Sequence, residues 1–139
     1  MSTPNQSLFL VTLLVSDQSL AKSFYCTQLG FDCIEDSAPE GAPGAKRRLV
    51  IRPPSATGGG AALNIALATT EAQKAAVGNQ AGGRVGFFLR TDDFARDHKA
   101  MVEKGVEFLE EPRYEAYGTV AVFKDPSGNT WDLIQDGKA

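Results

Sequence analysis

The sequence predicts an α+β protein built from two tandem βαβββ modules, forming cupped mixed sheets with the helices outside. Three observations predict it. Apolar runs with strand-like alternation give way to helical spacing at two aspartates, Asp17 and Asp93. Each helical stretch then stops at a glycine, Gly30 or Gly105, where a C-terminal cap belongs. The whole pattern is also written twice, and internal repetition has to be settled before any single motif is weighed.

The first strand is read in "SLFLVTLLVSD" (7–17), an apolar, β-branched run closing at Asp17, a residue suited to cap a helix N-terminus. From Gln18 to Leu29 the apolar residues Leu20, Ala21, Phe24, Tyr25 and Leu29 keep helical spacing, and "FDCIED" (31–36) follows as a short strand. The stretch "DSAPEGAPGAKR" (36–47) reads as an exposed loop. "RRLVIR" (47–52) and "AALNIAL" (61–67) are strands on either side of "PPSATGGG".

"TTEAQKAAVGNQAGG" (69–83) is read as a short helix ending in a Gly-rich linker. The pattern then restarts. "GRVGFFLRTDD" is a strand, "FARDHKAMVEK" a helix with Phe94, Met101 and Val102 on its apolar side, and "VEFLEE" the next strand. Arg113 and Tyr114 fall on a loop, and "YGTVAVF" (117–123) and "NTWDLIQ" (129–135) are strands about the turn "KDPSG". The second helical unit is one residue shorter than the first. Residues 1–139 therefore make one domain, with module 8–67, module 84–135 and linker 68–83. Each module covers one sheet face with its helix, and the two uncovered faces are expected to curve around a shared hollow that takes a small molecule.

Composition narrows the partners. With 42% hydrophobic and 22% charged residues, the chain belongs with ordinary soluble globular proteins. The net charge is −3 and the longest basic run is "KRR" at 46–48, which excludes the electrostatic footprint of a nucleic-acid or anionic-membrane binder. No basic residue precedes the apolar run that starts at Leu8, and that run is too short to span a bilayer, so a cytoplasmic location is expected. Cys26 and Cys33 suggest reduced thiols with no neighbouring base to activate them, and "TGGG" at 57–60 lacks the Gly-Lys-Ser/Thr of a phosphate loop.

Two segments carry a resemblance: "LLVSDQSLAKSFYCTQLGF" and "GVEFLEEPRYEAYGTVAVFKDPSGNTWDLIQ". From about Leu8 to Gln135 the chain resembles the vicinal oxygen chelate superfamily, which contains glyoxalase, the bleomycin-resistance proteins and the extradiol dioxygenases. The resemblance implies paired βαβββ modules, commonly a homodimer, and a ligand site in the cup between modules. In metal-dependent members, one residue from the first strand and one from the last strand of each module hold a divalent ion.

Transferred to this chain, those positions are Leu10, Asn64, Gly86 (or Val85) and Asp132. A leucine and a glycine or valine ligate nothing, and Asn64 offers only a neutral amide oxygen. The expectation is therefore a protein that binds a small organic ligand without the family metal and with no cofactor. The alternative is a metal-dependent lyase, isomerase or dioxygenase resembling glyoxalase, with a weak divalent ion at Asp132.

Asp132 is the candidate catalytic residue, because a carboxylate in a half-buried strand is costly unless something partners it. Asn64, Thr12, Tyr117, Arg48 and Arg52 are candidate ligand-binding residues. Thr12 shares a strand face with Leu10, and Arg48 and Arg52 share a face that suits an anion, although a solvated edge also explains that pair. Trp131 points the opposite way from Asp132, into the core, and His98 follows Phe94 by one helical turn, as a structural imidazole would.

Overall fold

The computed structural model describes residues 2–37 and 46–137. Most of the loop expected over 36–47 lies outside the described residues. Asp36 and Ser37, however, extend the second strand instead of opening the loop. Nine strands, three α-helices and one π-helical turn (Ser23–Gln28) are described; the strands and α-helices are numbered in chain order. They are β1 (Leu10–Val15), α1 (Gln18–Lys22), β2 (Asp32–Ser37), β3 (Arg48–Arg52), β4 (Ala62–Leu67), α2 (Glu71–Ala76), β5 (Phe87–Arg90), α3 (Phe94–Glu103), β6 (Glu107–Phe108), β7 (Arg113–Glu115), β8 (Gly118–Lys124) and β9 (Thr130–Asp136).

The architecture is α+β with two sheets, as expected. One has the order β1-β4-β3-β2; the other has the order β5-β9-β8-β6, with β7 also paired to β8. The chain divides into two compact units, Met1–Leu13 with Asp17–Leu67, and Leu14–Ser16 with Ala68–Ala139. No helix among the described residues is long and apolar enough to cross a membrane.

In the first unit, Asp17 caps α1 by accepting from the Leu20 N–H at 2.9 Å. The helix does not stay α-helical to its end. Ser23–Gln28 form a π-helical turn, in which the Leu29 N–H donates to the Phe24 carbonyl five residues back, at 3.0 Å. A π turn is what one extra residue inside a helix produces, so the one-residue difference between the modules is taken up here. The helix then stops at Gly30, whose φ of 79° only glycine adopts at no cost, and the Phe31 N–H returns to the Tyr25 carbonyl at 2.8 Å.

Strands β3 and β4 pair antiparallel, with Val50 opposite Asn64. Leu49, Ile51, Leu63 and Ile65 are buried on the face that α1 covers, together with Phe24 and Tyr25. Burying each such large side chain contributes about 1.5–3 kcal/mol. The residues between them, Arg48, Val50, Arg52 and Asn64, point to the other face.

In the second unit, Thr70 and Gln73 form a capping box at the start of α2. Asp93 caps α3 through the Arg96 N–H at 3.0 Å, and Gln135 Oε1 takes the Phe94 N–H at 2.7 Å. Gly105 ends the helix, and the Val106 N–H returns to the Met101 carbonyl at 2.9 Å. Strand β5 runs parallel to β9, and β9 antiparallel to β8.

Trp131 is buried as expected, stacked on Phe87 at 4.6 Å and on Phe123 at 5.9 Å. Two local expectations are corrected. Arg113 and Tyr114 are in β7, because β8 extends far enough to give them ladder partners at Val120 and Thr119. Of "VEFLEE", only Glu107 and Phe108 pair with β8.

Candidate functional site

Each sheet has a face away from its helix, and the polar residues singled out from sequence divide between those two faces. On the first sheet, Asn64 Nδ2 donates to Thr12 Oγ1 at 3.3 Å, which joins the middle of β4 to β1. The same sheet borders a concavity of about 600 Å³. Its walls include Val50, Ala62, Arg48 and Arg52, with Leu8 and Phe9 exposed beside it. The register between β2 and β3 shifts between Cys33 and Glu35, so Ile34 bulges out of the ladder and faces the concavity.

The two arginines are not equivalent. Arg48 Nε donates to Glu35 Oε2 at 2.6 Å, an exposed pair that neutralises its charge in place. Arg52 is half-buried, and its Nε is buried without a hydrogen-bond partner among the described residues.

On the second sheet, Asp132 sits in β9 between the buried Trp131 and Leu133, with Phe88 beside it in β5 and Val122 in β8. Its Oδ1 is buried and finds no hydrogen-bond partner among the described residues. Burial pushes the Asp132 carboxyl above its ordinary range, with the Arg113 guanidinium opposing that shift and Glu110 adding to it.

Glu110 and Arg113 form an ion pair at 2.8 Å, and the other Glu110 oxygen accepts the Val122 N–H at 3.0 Å. Arg113 also reaches the hydroxyl of Tyr117 at 3.4 Å. Tyr117 itself is exposed, in the turn just before β8. The sequence reading places Arg113 on a loop and does not single out Glu110. The spacing of Glu110 and Arg113 was visible, but the approach of both to Asp132 comes only with β7 and β8 in place.

The residues at the family's metal-ligand positions do not fit a metal ion. Leu10 carries a hydrocarbon, Gly86 carries no side chain and gives its N–H to the Thr130 carbonyl, and Asn64 turns its amide nitrogen to Thr12. Among the described residues, no group of three or more His, Cys, Asp or Glu side chains is placed to hold an ion. His98 lies on α3, stacked on Phe94 at 5.3 Å and against Phe108 at 4.4 Å. That is the setting of a packed imidazole, as its helical spacing indicates.

Comparison with known proteins agrees with the fold. The model for the Glyoxalase/Bleomycin resistance protein/Dioxygenase superfamily matches residues 7–133. A protein of Shewanella frigidimarina (strain NCIMB 400) is 45% identical over 130 residues, covering 94% of this chain and 93% of its own length. The YetH protein of Bacillus subtilis (strain 168) is 33% identical over 131 residues, covering 88% and 92%. The crystal structure of TnmS3, an antibiotic binding protein from Streptomyces sp. CB03234, superimposes with a TM-score of 0.73 at 27% identity, covering 98% of this chain and all of that one.

Proposed function

The chain belongs to the glyoxalase/bleomycin resistance protein/dioxygenase superfamily, and on that premise we propose that it binds a small organic molecule without a metal ion. The observation that carries this reading is the state of the four family ligand positions. Leu10 and Gly86 (or Val85) supply no donor, Asn64 is engaged with Thr12, and Asp132 alone keeps a carboxylate. One carboxylate and one amide among the four positions are too few donors to fix a divalent ion. The uncovered sheet faces instead offer apolar surface with a few polar groups, the usual make-up of an organic-ligand site.

TnmS3, of the same fold and comparable length, is an antibiotic binding protein, which supports the binding reading over a catalytic one. Asp132 then serves as a hydrogen-bonding group for the ligand. Its unpartnered Oδ1 also favours a second reading, proton transfer to or from a bound molecule without a metal. The metal-dependent lyase or dioxygenase finds no such support. The reading also takes the protein to be a cytoplasmic homodimer, so sedimentation equilibrium should give twice the mass of one chain.

Calorimetric titration of the purified, chelator-treated protein with nickel, zinc, manganese and iron tests the central claim. No stoichiometric tight binding is expected. A one-to-one site that Asp132→Ala removes would overturn the reading.

A further inference from the structure

The concavity on the first sheet has apolar walls but is not electrically neutral. Val50, Ala62, Leu10 and Ile34 supply hydrocarbon, while Arg48 and Arg52 project from alternate positions of β3 on the same face. Glu35 answers Arg48. No described carboxylate pairs with Arg52, and its Nε–H is buried with nothing to accept it.

A guanidinium cannot shed its proton, so burial leaves it charged. A buried donor without an acceptor is a loss that folding sustains until an acceptor arrives. An acceptor carrying negative charge gains most, because the planar fork of an arginine matches a carboxylate with two parallel hydrogen bonds. The volume, about 600 Å³, fits a molecule with a ring system or a short branched body.

We infer that this concavity takes an organic anion, an apolar body bearing a carboxylate or similar acid group, with Arg52 as the residue that grips the acid. The inference rests on the metal-free binding reading above and names the ligand class for it. Gly58, Gly59 and Gly60 border the concavity without side chains. Arg48, already paired with Glu35, contributes less.

The test uses two probes of one shape, 2-naphthoate and 2-naphthamide, titrated calorimetrically into the full-length protein with a chelator present. The wild-type protein is expected to bind the naphthoate about tenfold or more tightly than the amide. Arg52→Met, which keeps the apolar stem of the side chain, should weaken naphthoate binding by about tenfold to a hundredfold and leave naphthamide binding unchanged. Arg52→Lys should retain part of the preference, and Arg48→Met nearly all of it.

Far-UV circular dichroism checks that each variant is folded. If Arg52→Met is not, Arg52→Lys against Arg48→Met decides, and equal losses in both overturn the inference. Equal affinity for the two probes in the wild type, or a preference that survives Arg52→Met, overturns the anion inference and leaves metal-free binding standing. Failure of the wild type to bind either probe overturns the anion inference, while the metal titration alone decides the metal-free reading.

Discussion

Asp132 and Arg52 each leave one buried polar atom without a protein partner, and in a folded protein such atoms are rare enough to require a reason. For Asp132 the cost has a consequence in stability. Its folded-state pKa lies above the unfolded value, chiefly through burial. The folded protein therefore holds that proton more tightly than the unfolded chain does, and the contribution is favourable at low pH and lost as pH rises through the folded pKa. Asp132→Asn should stabilise the protein near pH 7 and change little near pH 3. Urea midpoints at the two pH values give the comparison, and an equal effect at both would contradict it. Asp36 behaves oppositely, since Arg47 and Lys22 hold its carboxyl well below the usual range and its contribution disappears as pH falls. The oddity of an acid between Trp131 and Leu133 is plain in the sequence. That Glu110 and Arg113 are the charges acting on it is not, because Arg113 reaches it from β7 and Glu110 from the bend before that strand.

At the level of elements, the helix signals were local and therefore readable. Asp17 and Asp93 cap their helices, and Gly30 and Gly105 end them, each through hydrogen bonds within a few residues of the cap. Asp93→Ala should cost about 1 kcal/mol, read as a shift in the urea midpoint, because the Arg96 N–H loses its acceptor. His98→Leu should leave ligand affinity unchanged while altering stability, since the ring packs against Phe94 and Phe108. A loss of binding in that variant would return the imidazole to the site. The extra residue of the first helical unit was countable from sequence, but its placement in a π turn at Ser23–Gln28 was not. An insertion can be absorbed anywhere along a helix, and spacing alone does not say where; here it falls where Phe24 and Tyr25 are buried. Strand β7 was missed for a related reason, since its three residues become a strand only when β8 offers ladder partners.

For the whole molecule, ligand binding is the measurable link between structure and function. A molecule that binds only the folded state raises the melting temperature by mass action, with about 2.7 kcal/mol of stabilisation at a hundredfold excess over Kd. An organic anion is therefore expected to raise the melting temperature, whereas nickel, zinc or a chelator should leave it unchanged. A large shift with metal alone would reverse the functional reading.

The sequence by itself determined the α+β class, the repeated strand-helix-strand pattern and the positions of the caps, because these follow from local periodicity and residue chemistry; which residues stand at the family's metal-ligand positions came from the resemblance. Only the tertiary structure decided that Asn64 bonds to Thr12, that Ile34 bulges toward a concavity, and that Arg52 Nε and Asp132 Oδ1 are buried without partners. Those facts depend on which strands become neighbours and in what register. Spacing along one chain does not encode the atoms that a distant segment brings alongside.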